Sequence, residues 1–121
     1  MTVDFVALCR SMPDVESTLT ALLAAGPELR LSSYQDGAIF EIRDEAGRPL
    51  VAVEGPLLIQ VPGELSRLLG PEVEPVGVPV WWVEARAASA REGAADIARR
   101  VTNTLAGRLN GVVWPLEEES S

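Results

Sequence analysis

The stretch from Pro79 to Pro115, PVWWVEARAASAREGAADIARRVTNTLAGRLNGVVWP, constrains the fold more than any other, because its hydrophobic period changes twice. Val80 to Ala87 alternates, with Trp81, Val83 and Ala85 on one face and Trp82, Glu84 and Arg86 on the other, the pattern of a strand. From Ser89 the period lengthens to that of a helix. Ala94, Ile97, Ala98, Val101, Leu105 and Leu109 share one side, and Asp96, Arg99, Arg100, Asn103 and Arg108 lie away from it. Ser89 and Glu92 fit a capping box, so the helix is predicted over Ser89–Asn110, with Gly111 as its left-handed stop. Val112 to Trp114 returns as a short strand. Such a unit buries its helical stripe only against a sheet.

The rest of the chain supplies that sheet. Thr2 to Arg10 is apolar on both faces, as a central strand is. Ser11 caps a predicted helix over Pro13–Ala25, with Val15, Leu19, Leu22 and Leu23 as its apolar stripe, and Gly26-Pro27 ends it. Strands follow at Leu29–Tyr34 and Ala38–Arg43 around an Asp36-Gly37 hairpin signal. After the turn Asp44–Gly47 come Leu50–Glu54 and Leu57–Val61. The Gly55-Pro56 between them fits either a bulge in one long strand or a turn between two. Glu64–Leu69 reads as a short helix, and Pro71, Pro75, Gly77 and Pro79 mark an extended connector. The order predicts an α+β two-layer sandwich. Its antiparallel sheet carries both long amphipathic helices on one face, a ferredoxin-like variant with extra strands, and the opposite face is left exposed or used for pairing. Residues 1–115 form one domain, and 116–121, with Glu117, Glu118 and Glu119, read as an acidic disordered tail.

Charge narrows the partners. Ten arginines and no lysine stand against eighteen acidic residues, a net charge of −8. That field repels nucleic acid and anionic headgroups, so neither is an expected partner. No apolar run is long enough to span a bilayer, and a single cysteine demands no oxidising compartment, so the expected location is cytoplasmic without membrane insertion.

The vocabulary of catalysis is thin. With no histidine, the Ser-His-Asp and Cys-His arrangements and the Cys-His zinc sites are unavailable, so no catalytic residue, metal or cofactor is assigned. Cys9, inside a central strand, reads as a packing residue. Glu41 and Glu54 could converge across strands on a solvated sheet face. Trp82 is more informative: a tryptophan in the outward register beside Glu84 and Arg86 has the composition of an interface hot spot, although packing beneath the proline connector would explain it as well. Trp114 carries the same two readings. Arg99, Arg100 and Arg108 read as a solvated helix face, with Asp96 and Arg100 spaced as an ion pair.

Three segments carry a resemblance. Arg48-Pro-Leu-Val-Ala-Val-Glu-Gly-Pro-Leu-Leu-Ile-Gln-Val-Pro-Gly-Glu64, Pro79-Val-Trp-Trp-Val-Glu-Ala-Arg86 and Gly111-Val-Val-Trp-Pro115 together resemble an uncharacterised actinobacterial family associated with gene neighbourhoods of the type VII (ESX-like) secretion system. The resemblance implies a context and no catalytic residues. Two function classes are therefore expected. One is a non-enzymatic binding, adaptor or chaperone-like accessory protein that associates with a protein partner or with itself as a homodimer through Trp82, Glu84, Arg86 and Trp114. The alternative is a small-molecule sensor or enzyme with a pocket between sheet and helices, in which Arg86 and a carboxylate anchor the ligand.

Overall fold

A computed structural model describes residues 2–26 and 28–115; the acidic tail anticipated at 116–121 lies outside them. Mixed helices and strands build a six-stranded antiparallel open sheet, in the order β2-β3-β4-β5-β1-β6. The strands are β1 (Thr2–Cys9), β2 (Arg30–Tyr34), β3 (Ile39–Arg43), β4 (Pro49–Ile59), β5 (Val80–Ala88) and β6 (Val112–Trp114). The helices are α1 (Val15–Leu23), α2 (Glu64–Leu69) and α3 (Ala94–Arg108). β1 is central, as its two apolar faces require: β5 pairs along its whole length and β6 along Val6–Leu8.

Register sorts the side chains into two cores. Phe5, Ala7 and Cys9 of β1, Val83, Ala85 and Ala87 of β5, Val51 and Val53 of β4 and Ile42 of β3 meet Ala94, Ala98, Val101 and Leu105 of α3 and Ala21 and Leu22 of α1. On the opposite face Val6, Leu8, Val80 and Ile59 meet Leu65 of α2 and Val73. That face is thus covered at one end; of the readings the sequence allows, an exposed or pairing face and packing beneath the proline connector, the second holds there. The cover comes from the supposedly extended connector, which winds into a 3₁₀ segment, Pro71–Val76, that buries Val73 completely. The segment reads Pro-Glu-Val-Glu-Pro-Val: its two prolines have no amide to satisfy, and the tight turn points Val73 inward between exposed Glu72 and Glu74.

Local expectations shift at the helix ends. The long helix starts at Ala94 behind Gly93, whose φ of 81° is left-handed, and not at a Ser89–Glu92 box; β5 runs on to Ala88 and a turn fills the gap. At the other end Asn110 is the left-handed residue (φ 54°). Gly111 answers a different need: a Cβ there would lie 2.3 Å from the Leu8 carbonyl oxygen, so only glycine lets the chain close onto β1. α1 is capped by Asp14, whose Oδ1 accepts from the Ser17 amide at 2.7 Å, in place of Ser11. Its expected stripe holds at Leu22, which is buried, and is corrected at its other three positions. Ser17, Ala21 and Leu22 face inward, and Val15, Leu19 and Leu23 are 75, 40 and 73% exposed. α1 packs chiefly on α3, and small inward residues let the two helices approach closely. In the β2–β3 turn Gln35 and Asp36 take the positive φ values, 53° and 55°, which places the left-handed residues one position earlier than an Asp-Gly signal implies.

Candidate functional site

Gly55-Pro56 is a bulge within one strand, and it shapes the surface around Trp82. Before it, Glu54 pairs with Glu84; after it, Leu57 pairs with Trp82, one residue out of step. Side chains alternate faces along a strand, so the extra residue turns Leu57 toward the Trp82 face and Ile59 into the second core. Gly55 (φ 126°) is required there, since a Cβ would sit 2.7 Å from the Trp82 carbonyl oxygen. Leu57 is left 59% exposed beside half-buried Trp82, with exposed Pro56 next to it.

The four anticipated residues lie on this one face. Trp82, Glu84 and Arg86 alternate along β5, and Val6 of β1 pairs with Glu84 on one side and Trp114 on the other. Trp82 and Trp114 are partly buried against the second core, so both tryptophans pack with one flank and present the other. Packing beneath the connector and outward display, alternatives in the sequence, coexist in the structure.

Arg86 is held among carboxylates. Its Nε donates to Glu84, its Nη1 lies 3.7 Å from Glu54, and Asp4 is its register partner on β1. The hydrogen bond with Glu84, then the charges of Glu84 and Glu54, raise its pKa further and keep it a cation. A guanidinium so occupied has little capacity to anchor a free anion. Glu41 and Glu54 share the face, but each has its own arginine: Arg43, which also donates to the Tyr34 hydroxyl at 3.4 Å, and Arg86. The depression bounded by Glu54, Leu57, Trp82 and Arg86 encloses 160 Å³, below the roughly 300–1,000 Å³ of small-molecule sites. Chemically this is an apolar centre with a charged rim.

Other features have structural explanations. Cys9 is fully buried, and burial pushes its thiol up to about 11, so it is not a thiolate near neutrality. Among the described residues no group of three or more metal-ligating side chains converges, and no helix is long and apolar enough to cross a membrane. Arg10, which sequence reading passes over, borders two grooves of 400 and 330 Å³. Its guanidinium is spent on the Val76 carbonyl and on those of Gly77 (3.5 Å) and Pro79 (3.4 Å), clamping the end of β1 to the connector. No sequence signal marks an arginine bound only to backbone. Arg99 and Arg100 are also engaged beyond a solvated face. Arg99 stacks 4.6 Å from the Phe5 ring centroid and donates to the Pro115 carbonyl, and Arg100 donates to the Ala25 carbonyl at 2.9 Å, tying α3 to the end of α1.

Comparison with protein-family models, with curated proteins and with solved structures finds no match to this chain.

Proposed function

We propose that this protein is a non-enzymatic binding module, an adaptor or chaperone-like accessory protein, that holds a protein partner on the sheet face around Trp82. The observation that carries the reading is the bulge at Gly55-Pro56, which brings exposed Leu57 beside Trp82 inside a rim of Glu54, Glu84, Arg86 and Asp4. An apolar aromatic centre within a polar rim is the anatomy of a protein interface. The rim holds three carboxylates and one guanidinium, and the whole chain carries −8, so the partner that fits presents a basic surface around an apolar anchor. Two copies meeting face to face would oppose acidic rims, which disfavours self-association here.

Type VII secretion as the setting rests on the resemblance in Arg48–Glu64, Pro79–Arg86 and Gly111–Pro115, and the cytoplasmic location belongs to the same proposal. We likewise read the fold as a ferredoxin-like variant. The order β6-β1-β5-β4, with α1 after β1 and α3 between β5 and β6, supports it, β2 and β3 being added strands. The test is capture from a lysate of the source cells, followed by titration of the purified partner. Trp82→Ala and Leu57→Asp are expected to weaken binding at least about tenfold, as central anchors do. Affinity should also fall with added salt. Unchanged binding in both variants overturns the assignment.

A further inference from the structure

A second surface, remote from Trp82, has its own logic. α1 turns Val15, Leu19 and Leu23 outward at i, i+4 and i+8, with Met12 just ahead of them. Leu31 of β2, 41% exposed, points to the same side of the sheet, because its register partner Ile42 lies in the helix-covered core. α3 packs on β1, β5, β6 and, more lightly, β4, while α1 packs on α3 and its Ala21 and Leu22 share one core with Ile42 of β3, so α1 lies on the side of α3 that faces β3 and β2. α1 runs back from the end of β1, so Leu23 and the start of β2 lie at the same end of the molecule. Together the five side chains expose on the order of 500 Å² of apolar surface, near the upper end of an ordinary monomer's largest patch and over half of what each partner covers in a stable complex.

The sheet edge beside this patch is open. Of the two edges, β6 is three residues long and runs into Pro115, which has no amide to donate; β2 is five residues long, has no proline and is exposed along most of its length. Proteins usually blunt such an edge with charge or proline, and β2 carries a single charge, Arg30. Arg30 has no ion pair among the described residues, and its neighbour across the strand pair is another cation, Arg43. We propose that two copies of this chain pair antiparallel through their β2 edges, about a twofold axis at Ser32, with their α1 stripes closing over the junction. This register sets Arg30 opposite the partner's Tyr34, an exposed aromatic ring against which an unpaired guanidinium can stack. It sets Leu31 opposite the partner's Ser33 on the helix side, where the α1 stripes cover both. The sheet becomes continuous across twelve strands, and the two Trp82 faces stay free for other partners.

Sedimentation equilibrium decides the matter. The wild type is expected to be dimeric at about 50 μM, with tighter pairing at about 500 mM than at about 50 mM salt, because both copies are acidic. Leu23→Asp and Leu31→Asp, both at exposed positions, are expected to weaken the dimer at least about tenfold while the monomer's circular dichroism is unchanged. Hydrogen exchange should show the amides of Arg30–Tyr34 gaining protection as concentration rises. Trp82→Asp should leave the dimer intact, even as it abolishes capture of a basic partner, so the two surfaces fail separately. A wild type that stays monomeric to about 200 μM, a dimer indifferent to both leucine variants, or one lost in Trp82→Asp overturns the proposal.

Discussion

Gly107 and Gly111 lie four residues apart at the end of α3, and the same substitution should act on them in opposite directions. A Cβ at Gly107 meets nothing within 4 Å, whereas at Gly111 it would lie 2.3 Å from the Leu8 oxygen and 3.0 Å from the Cys9 Cα. Both obstacles at Gly111 are backbone of a central strand held by β5 and β6, so neither can rotate away. Relief requires β6 to move outward by about 1 Å, near the depth of an ordinary overpacking strain. Four contacts are then at risk: the three-residue pairing with β1, buried Val113, the Gly111 amide bond to the Ala106 carbonyl at 2.8 Å, and the Arg10 amide bond to the Leu109 carbonyl at 3.1 Å. Overpacking costs about 1–3 kcal/mol, and an unyielding backbone places Gly111→Ala at about 3 kcal/mol. For a chain of this length that lowers Tm by about 10–15 °C. Gly107→Ala removes a flexible residue from a helix and gains about 0.5 kcal/mol. Urea unfolding followed by tryptophan fluorescence, with Trp114 on β6 as a local reporter, measures both. A Gly111→Ala protein within about 0.5 kcal/mol of wild type, or equal damage at Gly107, refutes the close-approach argument.

Gly55→Ala, which meets both a φ of 126° and the Trp82 oxygen at 2.7 Å, should cost about 2–3 kcal/mol and weaken partner capture, since Leu57 loses its place; unaltered melting would count against the bulge's role. Leu22→Ala, at 3% exposure, should cost about 2–5 kcal/mol and Leu23→Ala, at 73%, less than about 0.5 kcal/mol, so equal urea midpoints would contradict the inward face assigned to α1. The carboxyls of Asp14, Asp44 and Glu64 are held below their usual range, by the Ser17 amide, the Arg48 amide and the Arg67 guanidinium respectively. A depressed folded-state pKa stabilises above the unfolded value and is lost as pH falls through the folded one, so the urea midpoint should hold above about pH 5 and decline below about pH 4; a midpoint that rises on acidification would be inconsistent with these bonds. Cys9, buried and with its thiol at about 11, should react with a thiol reagent at pH 8 only at the rate of unfolding, and rapid labelling of the native protein would show that β1 opens locally.

Elements with a single strong period were legible in the sequence. β5 and the inward stripe of α3 follow from alternation and from the 3.6-residue repeat, because each has one buried face and one polar face. α1 was legible as a helix but not in its orientation. Of the expected stripe only Leu22 faces inward; Ser17 and Ala21 join it in place of Val15, Leu19 and Leu23, since helix-to-helix approach selects for small side chains as much as for apolar ones. Hydrophobic period alone does not separate these demands. The helix starts were misplaced for a related reason. Ser11 and Ser89–Glu92 satisfy the local cap chemistry, but Asp14 and the left-handed Gly93 stand where the chain must turn to dock on the core, a position set by distant contacts.

The candidate site divides along the same line. That Trp82, Glu84 and Arg86 share a face is a matter of counting by two, and the structure adds Trp114 through Val6 of β1. What no counting supplies is the change of step at Gly55-Pro56. A strand read straight through from Glu54 puts Leu57 under the helices and Leu58 on the Trp82 face; the extra residue exchanges them, making Leu57 the neighbour of Trp82 and leaving Leu58 opposite Trp81. Glycine permits that step, because its missing Cβ clears the Trp82 carbonyl, and proline stabilises it, because it has no amide to leave unpaired inside the ladder. The dipeptide therefore has one role in the fold, seating Ile59 in the second core, and another at the surface, uncovering Leu57. If the second role follows from the first, loss of partner binding and loss of stability in variants at Gly55 will scale together. Variants at Leu57 will lose binding alone.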